Sequence, residues 1–218
     1  MEREYRTLTI RRLFIEDMPW IEKYAACFDG LFFNPLSEKL LPGVFVQGAF
    51  WAVCDGEIPV AVTYILDADS HSFAQSAAGW HLTDLLGEKA GHCLVCGYLW
   101  TDEQYSHIDL YTPITKLWMI QAERKNKTIL VHLVPSRFGA DFEKLFYNGF
   151  QLIALRGLDN LVPYWIFTRK TDMGTEKTLP YEDVKKCPLS DTKGLSQLCE
   201  KGYRAFDMDM EKNLLFRR

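Results

Sequence analysis

Cys93-Leu94-Val95-Cys96 has the spacing of a redox pair or of half a zinc site, so it is the first place to look for chemistry. The pair sits inside an apolar run, 92–100, that reads as a strand. Side chains three apart on a strand point to opposite faces, so the two thiols cannot converge on one metal. A structural zinc needs four convergent ligands, and no second pair lies nearby; no metal is expected. His132, within Ile-Leu-Val-His-Leu-Val, reads as a hydrogen-bonded strand residue rather than a catalyst. His71, His81 and His107 fall on loops or on a long connection without a metal-like cluster. Gly-x-Ser-x-Gly, Walker and His-Glu-x-x-His patterns do not occur, which removes hydrolase, nucleotide-hydrolysis and metalloprotease readings. Thr112-Pro113 reads as a helix N-cap followed by proline at the first helical position. The amides exposed there, with the helix dipole, favour a negative group. The same pattern is also what a well-capped core helix needs.

The elements that position these groups are legible. The run 92–100 is followed by an amphipathic helix over 112–127, with Ile114, Leu117, Trp118 and Gln121 along one face. A second apolar strand covers 128–134, a short helix 141–148, and two further strands 151–155 and 164–169. Upstream, Leu8 and Ile10 alternate in an opening strand. A helix follows, with Asp17 as its N-cap, Pro19 in its first turn, and Trp20, Ile21, Tyr24 and Cys27 or Phe28 at helical spacing. A short helix is expected at 36–41. Asp55-Gly56 joins two apolar runs, 49–54 and 58–66, and supplies the positive φ angles of a tight hairpin. The connection 67–91 carries a helix around 80–86 and is long enough to be functional. After Lys170 a polar stretch reads as a linker. A capped helix from Ser190 or Asp191 to Lys201 and a strand pair, 203–208 and 213–217, complete the chain.

With 218 residues, 48% hydrophobic and 25% charged, the chain suits one sizeable domain, or a domain plus a small extension. The 14% aromatic content suggests a thick core or an aromatic-lined pocket. A net charge of -4 argues against a nucleic-acid partner, which needs a surplus of Lys and Arg. No signal peptide and no run of about 20 apolar residues is read, so no membrane partner is expected. Six scattered cysteines fit buried free thiols in a reducing cytoplasm.

The order of elements over 6–170, with the ending Leu145-Phe146-Tyr147-Asn148-Gly149-Phe150, resembles the GNAT N-acetyltransferase superfamily. The resemblance implies an α+β fold: a mixed, mainly antiparallel central sheet flanked by helices. It divides the chain into a GNAT-like domain, 1–170, and a linker with a small C-terminal α/β extension, 171–218. It implies acetyl-CoA or another acyl-CoA as co-substrate, lying in a splay between the strands 92–100 and 128–134. Backbone groups at Leu99, Trp100 and Thr101 would then hold the pantetheine arm. Tyr111, Thr112 and Ile114 would form the helix start at the phosphates. Arg137, at the strand exit, would pair with a CoA phosphate or stand as a solvated loop arginine. The family's phosphate turn is rich in glycine, whereas this chain has Ser106-His107-Ile108-Asp109-Leu110-Tyr111, and Asp109 would face phosphate with like charge.

Transfer to an amine needs a general base, and Asp102 and Glu103 are the nearest carboxylates to the implied cleft. The family's thiolate-protonating tyrosine falls here on Leu145. Tyr147, two residues on, is the substitute candidate, with a core or surface tyrosine as the plain alternative. The activity implied is direct acyl transfer to a small amine-bearing acceptor. The alternative is a GNAT-like binding or regulatory module without catalysis. The C-terminal extension is expected to dock on the main domain or to join two copies as a homodimer.

Overall fold

The computed structural model describes residues 7–26, 50–74, 77–136, 142–157, 163–172 and 184–218. The helix expected at 36–41, the polar linker beyond 172, and Arg137, Cys27 and Phe28 lie outside the described residues. Strand β1 (Leu8–Arg12) leads through a 3-10 turn into helix α1 (Met18–Ala25). Strands β2 (Phe50–Asp55) and β3 (Ile58–Asp67) form the hairpin, closed by Gly56 at φ +62°. Helices α2 (His71–Ala74) and α3 (Ala77–Leu86) fill the long connection to β4 (Cys93–Cys96). A two-residue strand, β5 (Trp100–Thr101), precedes helix α4 (Tyr111–Arg124). Then come β6 (Ile129–Pro135), α5 (Phe142–Tyr147), β7 (Gln151–Arg156) and β8 (Tyr164–Lys170). The chain closes with β9 (Lys185–Pro188), α6 (Thr192–Glu200), β10 (Arg204–Met208) and β11 (Asn213–Arg217).

Among the described residues the strands lie in the order β1-β2-β3-β4-β6-β8-β7-β10-β11-β9, with β5 also on β3. Each pairing is antiparallel except β4 with β6. This is the mixed, mainly antiparallel sheet expected, covered by helices on both faces. One apolar cluster holds Ile21 and Tyr24 of α1 and Leu82 of α3 against Val62, Tyr64, Val95 and Ile166. The other holds Ile114 and Trp118 of α4 and Leu145 of α5 against Leu94, Leu130, Trp165 and Phe167. The strand period of two divides β4 between them: Cys93 faces the first cluster and Cys96 the second. Burial pushes the Cys93 thiol up to about 12 and raises the Cys96 thiol well above its ordinary range, so both are inert at neutral pH.

The C-terminal residues from 184 continue the same sheet. Ala205 of β10 pairs with Leu152 of β7, and Leu195 of α6 is buried in the second cluster. Strand β9 escapes a sequence reading because it is a short edge, Lys-Lys-Cys-Pro, with only Cys187 buried. Lysine and proline there suit a strand with one unpaired side.

Two local expectations are corrected, and a third holds in position. The apolar run 92–100 is not one strand: it ends at Cys96 and resumes at Trp100. A Cβ at Gly97 would overlap the Tyr64 ring, so only glycine lets the chain pass, and the Gly97 amide donates to the Tyr64 carbonyl at 2.8 Å. Helix α4 starts at Tyr111, which puts Pro113 in the third position and removes Thr112 from the cap. Asp17 takes the N-cap position of α1 as expected, but its carboxylate binds the Phe14 amide and, at 2.7 Å, the Arg11 guanidinium rather than a helix amide.

Candidate active site

The parallel register of β4 and β6 runs from Cys93↔Ile129 to Cys96↔His132 and stops. Beyond it β5 stays on β3, with Trp100 opposite Val62 and Thr101 opposite Ala61. Strand β6 continues instead along β8 as far as Pro135. A gap therefore opens between 97–101 and 133–135, with its apex at Cys96 and His132. The apex is built by a side chain: His132 Nδ1 lies 2.9 Å from the Cys96 carbonyl oxygen. A carbonyl only accepts, so Nδ1 carries the proton and Nε2 presents its lone pair. The ring is fully buried against Tyr111, Trp118 and Phe150. Burial lowers its pKa from 6.5 to about 4, opposed by the bond to Cys96, so the imidazole is neutral near pH 7.

The carbonyls that follow Cys96 are also engaged. Thr63 Oγ1 donates to Gly97 at 3.0 Å and the Tyr24 hydroxyl to Tyr98 at 2.7 Å. Tyr98 packs against both apolar clusters, which places it at the gap between the two faces. Leu99 is buried, while Trp100 and Thr101 are half-buried. On the helix side, Thr112 Oγ1, Thr115 Oγ1, Trp118 Nε1 and His132 Nε2 are buried without a hydrogen-bond partner among the described residues. Positions 112, 115 and 118 follow one another at helical spacing on α4. An orphaned polar row like this favours a polar occupant, whether water or ligand.

The start of α4 is closed by an internal anion. One carboxylate oxygen of Asp109 accepts from the Tyr111 amide at 3.0 Å and the Thr112 amide at 3.2 Å. These are the amides that a helix N-terminus offers to an external anion. Tyr111 and Ile114, both expected near phosphate, are buried: Tyr111 edge-on to His132, Ile114 fully within the second cluster.

The candidate acid and base residues differ in their surroundings. Asp102 stands at the open edge just after β5; its Oδ1 accepts from the Gln104 amide at 3.1 Å and its Oδ2 lies 3.7 Å from Lys23 Nζ. Glu103, next to it, points to an exposed surface. Tyr147 is 84% exposed, whereas Leu145 is fully buried, so Tyr147 stands on the solvent-facing side of its helix. The α5 terminus itself is sharply made. Gly149, at φ +78°, donates to Phe146 and Phe150 donates to Leu145, a Schellman ending.

Two groupings escaped the sequence reading. His81 Nδ1 lies 2.7 Å from the Tyr164 hydroxyl with the rings stacked, and burial pushes the phenol's pKa up. The Lys23 ammonium lies 4.7 Å from the Trp100 ring centroid and 5.3 Å from that of Trp20. Both join positions distant in sequence, and no local pattern signals them. Among the described residues no cluster of His, Cys, Asp and Glu could hold a metal ion, and no helix is long and apolar enough to cross a membrane.

No family model and no curated protein sequence matches the chain. Solved structures do. The chain is similar to yncA, a putative acetyltransferase from Salmonella typhimurium solved with acetyl-CoA, at TM-score 0.54 and 12% identity over 81% of this chain and 99% of that one. It is similar to an N-acetyltransferase from Staphylococcus aureus Mu50 at TM-score 0.53 and 10% identity, covering 76% and 99% of the two chains. An agmatine N-acetyltransferase gives TM-score 0.52 and 11% identity over 75% and 100%. At these identities the likeness is one of fold, and the chain has the fold of the GNAT N-acetyltransferases.

Proposed function

We propose that, on this GNAT fold, the protein is an acyl-CoA-dependent N-acyltransferase that passes an acyl group directly to a small amine. The observation that carries the reading is the gap between β5 and β6, with its apex at Cys96 and His132 and an orphaned polar row behind it. The solved likeness with acetyl-CoA supports the choice of co-substrate. Leu99, Trp100 and Thr101 would supply backbone to the pantetheine arm, and Tyr111, Thr112 and Ile114 would border its far end. Arg137, outside the described residues, remains a phosphate partner on the strength of the sequence.

Asp102 is the better placed base, because its carboxylate sits at the open edge and already holds an ammonium group. Its task would be to take the proton of the acceptor amine as nitrogen attacks the thioester carbonyl. Glu103, exposed to solvent, would serve only with an acceptor approaching from outside. Tyr147 would need a rearranged helix to act as an acid, so the leaving thiolate is best protonated by water.

Asp109 favours a second reading, a GNAT-like binding module without transfer. Its carboxylate occupies the helix amides and repels a diphosphate. Release of free thiol from acetyl-CoA, screened across primary amines, separates the two. Turnover with any amine, lost in Asp102→Asn, supports the transferase; no thiol release from saturating acetyl-CoA supports the module.

A further inference from the structure

Helix α1 and the donor-side strand meet at one cation. Lys23 reaches from α1 so that its ammonium lies between the Trp20 and Trp100 rings, 5.3 and 4.7 Å from their centroids. Asp102 Oδ2 stands 3.7 Å away. Two indole faces and a carboxylate make a cage for an alkylammonium group, and Trp is the strongest ring for that purpose. Trp100 and Asp102 belong to the edge that borders the gap between β5 and β6. The lysine side chain is half exposed and the carboxylate about one-third exposed, so both are open to a reagent entering the gap.

We propose that Lys23 is a site of self-acylation, its ε-amine being the first amine that an acyl thioester in the gap meets. The proposal rests on the transferase reading above. In the step, Asp102 takes one proton from the Lys23 ammonium, and the freed nitrogen lone pair attacks the thioester carbonyl. The new C–N bond forms as the C–S bond breaks. The thiolate leaves and is protonated by solvent, and the second amine proton is lost to water. The product is an uncharged amide that has lost its ion pair with Asp102 and its attraction to the two rings.

The test incubates the full chain with isotope-labelled acetyl-CoA and maps acetylated lysines by peptide mass spectrometry, with calorimetry of acetyl-CoA run on the same preparation. Lys193, exposed on α6, serves as the reference for uncatalysed labelling. Lys23 is expected to label faster than Lys193, and Asp102→Asn to slow Lys23 by about 100-fold while leaving Lys193 unchanged. Lys23→Arg, which keeps the charge, should remove that label and retain donor binding. Equal labelling of Lys23 and Lys193 in a protein that binds acetyl-CoA overturns the self-acylation alone. No binding of acetyl-CoA overturns the transferase reading, and self-acylation with it.

Discussion

Where the parallel ladder between β4 and β6 ends, His132 donates its imidazole N–H to the Cys96 carbonyl at 2.9 Å. A strand with an ordinary side chain at 132 would offer β4 only its backbone, so nothing on the side chain would cap this carbonyl where the strands part. The capped carbonyl costs little to leave the sheet, and the two strands separate there. The opening thus begins at one side chain held neutral by its surroundings.

That neutrality makes stability depend on pH. The unfolded chain takes up a proton on this histidine near 6.5, while the folded chain resists until about 4. Below 6.5 the unfolded state binds more protons, so the contribution is fully present above 6.5 and is lost as pH falls toward 4. The difference corresponds to about 3 kcal/mol. Urea denaturation at pH 7, 5.5 and 4.5 should show the wild type losing more stability than His132→Gln across that range. Parallel curves for the two proteins would contradict the buried, neutral imidazole.

Gly97→Ala should destabilise the fold by about 1–3 kcal/mol, because its methyl group enters the space of the Tyr64 ring. The double variant Gly97→Ala, Tyr64→Ala should show a smaller cost than the two single costs added. A denaturant double-mutant cycle measures the coupling, and strict additivity would remove the proposed contact.

Asp109→Gly frees the Tyr111 and Thr112 amides and removes a charge from the start of α4. The affinity for CoA should rise by about tenfold, the size of one charge-assisted bond. The loss of the cap costs only a few tenths of a kcal/mol when glycine replaces it. Calorimetry of CoA with both proteins reads this directly. Unchanged affinity would mean that no phosphate approaches this helix.

Transfer activity, where an acceptor is found, should separate Asp102 from Tyr147. Asp102→Asn should lower kcat by about 100-fold, the low end of what a general base supplies. Tyr147→Phe should leave kcat within about twofold, as befits a surface substitution, since the phenol is 84% exposed. A large loss with Tyr147→Phe would require α5 to turn in the working enzyme.

Periodicity made the sheet legible, because buried strands such as 129–135 are continuous apolar runs and Gly56 and Gly149 punctuate their neighbours. It did not reveal the break at Gly97, where the Tyr64 ring on the neighbouring strand takes the space of a side chain. The cap of α4 was misplaced by two to three residues, because Thr112-Pro113 imitates a helix start while Asp109 makes the actual one. The cage around Lys23 joins residues nearly eighty positions apart, so only the folded chain brings it together. Asp102 is a candidate on sequence grounds for the opposite reason: it follows a strand whose end the sequence marks.

The most direct test of the account is isothermal titration of the purified protein with acetyl-CoA near pH 7.5, with Asp109→Gly titrated alongside. Saturable binding at one site per chain is expected, tightened in the variant. An absence of heat with either protein at millimolar acetyl-CoA would contradict it, leaving a GNAT fold whose gap serves another ligand.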